Sequence, residues 1–254
     1  MMTLARVAGE LDALLDRKRI ADYSNNGLQI EGRPEVRRIA FAVDAGLETI
    51  QRAGQASADL LVVHHGLFWN QPLMITGTHR QRVAACIESG ISLYAAHLPL
   101  DVHPRFGNNA GILEDAGFSV SGRFAEERGL AVGFMGTCEG GRTLGEIQAA
   151  LEASLGCRPF RILGAPEPEK RYYTAGAITG SGLKYAEEAS ALGADVYLSG
   201  EGSHAAYHQV IECGIVCLLY GHYVSETVGL RRLMAHLVKE WNIECVFLDV
   251  PTGF

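Results

Sequence analysis

Residues 37–66, RRIAFAVDAGLETIQRAGQASADLLVVHHG, decide the fold. They read as an apolar strand, a glycine-containing turn, a helix of small apolar residues and a second apolar strand ending at His64-His65. The apolar runs are short and flanked by helical segments, which suits strands buried on both faces of an α/β sheet. Residues 170–202, KRYYTAGAITGSGLKYAEEASALGADVYLSGEG, repeat the unit and set His64-His65 opposite Gly200-Glu201. The match resumes downstream, where residues 86–101, CIESGISLYAAHLPLD, face residues 210–226, VIECGIVCLLYGHYVSE. Each has a helix ending at a glycine (Gly90, Gly214), then an apolar strand, then a histidine with a carboxylate four residues later. The expectation is two similar α/β lobes related by internal duplication, residues 1–125 and 126–254, with a metal site in the cleft between them. Between the copies, GRFAEERG (122–129) reads as a connection, LAVGFMG (130–136) as a strand, and Thr143 to Glu146 as a helix capping box.

Sheets of this class bind ligands at the carboxyl ends of their strands. Three polar clusters fall there: His64-His65, His97 with Asp101, and His222 with Glu226. Imidazole and carboxylate are the donors that divalent transition metals favour, and no cysteine enters the clusters. Gathered without a cation, two carboxylates would repel and desolvated imidazoles would lack an acceptor for their lone pairs. A site for two divalent ions accounts for all of these residues together.

Neighbouring residues on a regular strand face opposite ways, so one of His64 and His65 would point into the core unless the strand end turns. His222 and Glu226 share one face of a helix beginning near Tyr223, and a glutamate can bridge two cations where one imidazole nitrogen cannot. A surface ion pair would explain neither the apolar strand before His222 nor its counterpart in the other half. Asp101 follows Pro99 in a segment expected to be non-helical. His97 is either a ligand or a hydrogen-bonding partner of the ligands, with the balance toward the partner, and Glu201 stands near the same centre. His79 and His236 read as surface groups, His208 as a helix-face residue, and His103 and His204 as residues lining the cleft. Gly180 and Gly182 follow a strand, but the third small position of a dinucleotide fingerprint is Tyr185, so that reading fails. A glycine turn opening a helix still suits a phosphate.

The composition narrows the class. The 254 residues are 48% hydrophobic and 20% charged, as in a folded soluble protein. A net charge of -7 argues against a chain whose main task is wrapping nucleic acid. The six cysteines show no C-x-x-C spacing and read as reduced, buried thiols. The first twenty residues alternate charged and apolar positions at helical spacing, and no run approaches a membrane span. A reducing cytoplasm fits best.

With these residues assembled, the chain resembles the NGG-interacting-factor-three-like family, also named GTP cyclohydrolase 1 type 2 homologues. The resemblance rests on NNGLQIEG, VVHHGLFW, HLPLDVHPRFGNN, YLSGEGSHAA and GHYVSE, and covers nearly the whole chain. It implies two similar lobes, a dinuclear metal centre and a hexameric ring. Carried over by motif, the metal ligands are His64, His65, Asp101, His222 and Glu226. His97 and Glu201 match positions near the centre and are assigned to proton transfer. One departure lies in SGEGSHAA, where similar proteins often carry an acidic residue at the place of His204. The function expected is that of a metal-dependent hydrolase acting on a nucleotide or related small molecule, with zinc, iron, manganese or nickel as the ion. The alternative is a non-enzymatic metal-binding ring working through protein or nucleic-acid partners. An iron centre would also permit a redox role.

Overall fold

The apolar runs of the sequence become the strands of two separate sheets in a mixed α/β fold. The computed structural model describes residues 2–254. Two units are formed: Met1–Leu100 with Leu230–Val250, and Asp101–Gly229 with Pro251–Phe254.

In the first unit the Leu60–His65 strand lies between Arg38–Asp44 and Ser92–Ala95 and is parallel to both. Leu60, Leu61, Val62 and Val63 are fully buried, which is why the run carries no polar residue until His64. Glu244–Phe247 adds in parallel outside Arg38–Asp44, and Gly27–Ile30 adds antiparallel outside Ser92–Ala95.

In the second unit Arg171–Ile178, Val196–Ser199 and Val216–Leu219 are parallel neighbours, and Arg161–Leu163 runs antiparallel beyond the last. Both units therefore share three consecutive parallel strands and, past the third, an antiparallel strand that precedes them in the chain; the first unit adds Glu244–Phe247 as a fourth parallel strand. This shared strand order accords with the sequence repeat. The Gly77–Ser89 helix of the first unit and the Tyr207–Cys213 helix of the second end at glycines in the left-handed region, Gly90 (φ 66) and Gly214 (φ 74).

Three local expectations meet different outcomes. Residues 122–129 are not a connection, because most of them belong to the Ser119–Glu127 strand, which pairs antiparallel with Leu130–Thr143. Arg128 (φ 53) and Gly129 (φ 79) make the turn between them; successive positive φ values match the twist of a tight hairpin. The capping box is present: Glu146 N–H donates to Thr143 Oγ1 at 3.2 Å, and Thr143 N–H donates to Glu146 Oε2 at 2.8 Å. Leu98–Asp101, expected to be non-helical, makes one helical turn. Proline in a first turn forfeits only an N–H that has no partner within the helix.

The division of the chain also falls elsewhere than near residue 125. Residues 101–125 join the second unit because Ala110, Ile112 and Leu113 pack with Phe118, Phe134 and Tyr172. Residues 230–250 return to the first because Glu244–Phe247 completes its sheet. All six cysteines are free thiols. Among the described residues no helix is long and apolar enough to cross a membrane.

Candidate functional site

Strand register carries the first set of polar residues to one sheet edge. Asp44 pairs with His65, and Val63 pairs with Ala95, so Asp44 and His65 finish two adjacent parallel strands and His97 lies two residues beyond the end of the third. One ring nitrogen from each of His64, His65 and His97 lies within 4.8 Å of the others. The rings of His64 and His65 are 4.6 Å apart, so the strand end does turn both toward one place. Gly66 allows the next step of the chain. A Cβ there would stand 2.5 Å from the Gln29 amide and 2.7 Å from Ala95. Trp69 sets its ring edge-on against His97 at 5.1 Å and donates Nε1–H to Gly66 O at 3.0 Å.

The second nitrogen of each ring is held by an oxygen acceptor. His64 Nδ1 meets Ala96 O at 2.9 Å, His65 Nδ1 meets Asp44 Oδ1 at 2.9 Å, and His97 Nδ1 meets Asp22 Oδ1 at 3.0 Å. A carbonyl and an ionised carboxylate only accept, so each Nδ1 carries a proton, and in the neutral form of such a ring the lone pair is on Nε2. This is the arrangement that orients histidines toward a metal and raises their basicity. Asp22 is itself anchored by Leu98 N–H (2.9 Å), Asn26 Nδ2 (2.7 Å) and Ser24 N–H (3.1 Å). Burial pushes its carboxyl up, but the His97 hydrogen bond and charge, then Asn26 and Ser24, outweigh it and bring the pKa to about 2.

The second unit repeats the logic with other donors. Ile178 pairs with Ser199 and Ser199 with Leu219, so Gly180, Glu201 and His222 lie just beyond the ends of three adjacent strands. His222 Nδ1 lies 2.8 Å from Glu201 Oε1, and Nε2 lies 3.1 Å from Glu226 Oε1. Ser181 Oγ also donates to Glu201 Oε1 at 3.0 Å. The hydrogen bond to Glu226 lifts the His222 pKa most; burial opposes it, Glu201 adds to it, and the result is about 9. Gly180 (φ +57) leaves the space this pair needs, since a Cβ would stand 2.3 Å from Glu226 Oε1 and 3.1 Å from His222 Nε2. Asp101 is buried and accepts from Asn108 Nδ2 at 2.8 Å, while Asn108 Oδ1 accepts from Gly229 N–H at 2.7 Å.

Each expected site residue thus has a defined place. His64 and His65 come together, and His97 joins them as a third imidazole of the same group, although it had been read toward a supporting role. His222, Glu226 and Glu201 come together in the second unit, where Asp101 is engaged by Asn108. Asp22, Asp44, Ser181 and Asn108 were missed, and Gly180, read as a turn suited to a phosphate, is packed against Glu226 and His222. Asp44 had a signal, a carboxylate ending a strand beside His65, and Asp22 stands just before the NNGLQIEG stretch.

Of the remaining histidines, His79 is half-buried with its ring at 87° to Phe68, rather than a plain surface group. His103 Nδ1 accepts from Arg105 and Phe106 N–H at 3.1 and 2.9 Å, so it stabilises its own turn. His204 and His208 are exposed.

The donor set fits divalent metal ions: three oriented imidazoles on one sheet edge, and an imidazole with a close carboxylate on the other. These histidine and glutamate groups can hold a metal ion.

Comparison with known proteins agrees in both sequence and fold. A family model described as Duf34/NIF3 (NGG1p interacting factor 3) matches residues 2–253. A protein of Archaeoglobus fulgidus named "GTP cyclohydrolase 1 type 2 homolog" is 41% identical over 252 residues, 99% of this chain and 100% of its own length. One of the same name from Deinococcus radiodurans is 40% identical over 91% of this chain and 87% of its own. Among solved structures, the protein ybgI, of unknown function, superposes with TM-score 0.90 at 30% identity, covering 100% of both chains. A Thermus thermophilus protein, TTHA1606, gives TM-score 0.85 at 33% identity, again over 100% of both. The chain belongs to the Duf34/NIF3 family.

Proposed function

We propose that the protein is a metal-dependent hydrolase of a nucleotide or related small molecule, using two divalent ions held by His64, His65, Asp101, His222 and Glu226. The observation that carries this reading is the gathering of one ring nitrogen from each of His64, His65 and His97 within 4.8 Å, with the Nδ1 of every ring held by an oxygen acceptor. The names of the similar proteins support a guanine nucleotide as substrate.

A bound divalent cation acidifies water toward neutrality and polarises the electrophile beside it. The chain's own residues do the rest. Asp44 and the Ala96 carbonyl keep His65 and His64 in the coordinating tautomer. Glu226 supplies the anionic oxygen that a purely imidazole set lacks. His222 lies between Glu201 and Glu226; as a metal ligand it would have to give up one proton, and Glu201 would still orient the ring through Nδ1. His97, tied to Asp22, and Glu201 are the groups able to take and return a proton at the reacting atoms. In this reading the protein is a cytoplasmic homo-hexamer, which the family resemblance supports and native mass spectrometry checks.

The test is metal content per chain by inductively coupled plasma mass spectrometry, on wild type and Glu226→Ala, followed by GTP turnover. About two ions per chain, falling in the variant, with turnover lost alongside, is the expected result. A metal-free wild type from metal-replete cells would overturn the reading. Full loading without turnover of any nucleotide would leave the alternative, a metal-binding ring acting through partners.

A further inference from the structure

We infer that a pocket on the second unit, lined by Phe160, Arg161, Leu183, Ser203, His204 and Tyr207, binds the ring and oxyanion of a nucleoside-monophosphate-sized ligand. Its role as part of a substrate site rests on the hydrolase reading; its existence as a binding site does not.

The pocket's position follows from strand register. Arg161 pairs with Leu219, three residues before His222. Gly202, Ser203 and His204 continue the chain directly from Glu201, whose carboxylate holds His222 Nδ1. Leu183 comes one residue after the Gly180–Gly182 turn that packs against Glu226. The pocket therefore opens at the same end of the same sheet as His222, one residue from its hydrogen-bonding partner.

The lining chemistry selects the ligand. Arg161 is exposed and among the described residues its guanidinium joins no ion pair, whereas nearby Arg158 is paired with Glu152 at 2.8 Å. A planar fork of five donors matches a phosphate or carboxylate edge. His204, which is exposed, and the hydroxyls of Ser203 and Tyr207 add further donors to the lining. Phe160 is 63% exposed and Tyr207 38% exposed, so two partly exposed aromatic side chains line this concavity. Aromatic faces with a cation recognise a flat ring that bears an anion. The cavity measures about 290 Å³. That lies at the small end of ligand pockets, about 300–1,000 Å³, and suits a mononucleotide rather than a polymer. In a chain of net charge -7 such a cluster of donors is a local exception.

Calorimetric titration of the metal-loaded, full-length protein with guanosine 5′-monophosphate, guanosine and inorganic phosphate tests this. Arg161→Met removes the charge at a surface position without disturbing the core. It is expected to weaken the monophosphate at least tenfold and leave guanosine unchanged, with Arg161→Lys recovering part of the loss. Phe160→Ala is expected to weaken both the monophosphate and guanosine. Wild-type protein that takes up no monophosphate at millimolar concentration, or Arg161→Met that holds it as tightly as wild type, would overturn the inference. So would Phe160→Ala protein that changes oligomeric state with ligand affinity untouched, which assigns the aromatic rim to contact between copies. Monophosphate binding of the expected pattern without turnover keeps the pocket and removes the hydrolase. GTP turnover with undiminished kcat/KM in Arg161→Met does the reverse.

Discussion

Asp22→Asn is the sharpest test of the claim that buried carboxylates orient the histidines. The Asp22 side chain is 2% exposed and accepts from His97, Leu98, Asn26 and Ser24. Its pKa falls from the ordinary 3.8 to about 2. At 1.36 kcal/mol per pH unit that shift corresponds to about 2 kcal/mol of stability. A hydrogen bond to a charged group contributes a similar amount, about 1.5–3 kcal/mol. Asparagine is nearly isosteric but turns an N–H toward donors, so the loss at pH 7 is expected at about 2–4 kcal/mol. The sign with pH follows from the depressed value. The contribution is complete above the unfolded value of 3.8 and is lost as pH falls through about 2. Roughly half of the charge term should be gone by about pH 3. Urea unfolding of both proteins at pH 7, 5 and 3, followed by circular dichroism, reads this directly. A wild-type advantage under about 0.5 kcal/mol at pH 7, or one that does not shrink toward pH 3, would refute the reasoning.

Two further substitutions probe other parts of the structure. Gly180→Ala places a methyl 2.3 Å from Glu226 Oε1 at a φ of +57. It is expected to lower stability by about 1–2 kcal/mol and to cut metal content, and full metal loading in this variant would contradict the role given to the glycine. Thr143→Ala removes one half of the capping box at the Leu144–Leu155 helix. The expected cost is about 1 kcal/mol in thermal unfolding, with metal content equal to wild type.

Much of this protein is legible from local sequence pattern. The buried strands announce themselves because a strand covered on both faces admits only apolar residues until its end, as LLVV then His64 shows. The repeat is visible because strand, helix and glycine cap recur at matching offsets, and the C-caps at Gly90 and Gly214 appear where expected. The clustering of His64 with His65 and of His222 with Glu226 also follows, since each pair is near in sequence and stands at a strand end or within one helical turn.

Other features were decided only by contacts far apart in the chain. The bond between His97 and Asp22 joins residues 75 positions apart, and that between His65 and Asp44 joins residues 21 apart. Neither spacing has a local signature, because a hydrogen bond across neighbouring strands depends on register, and register on the packing of the whole sheet. Residues 122–129 were misread for the same reason: a polar edge strand resembles a loop until its hairpin partner is in place. The last strand, Glu244–Phe247, returns to Arg38–Asp44 from the far end of the chain, so no division at a single point can describe the units. The sequence by itself determined at which strand ends the clustered histidines and Glu226 stand. Tertiary structure decided which nitrogen of each histidine is presented and what holds it there, because tautomer and orientation are set by acceptors that only folding brings within about 3 Å.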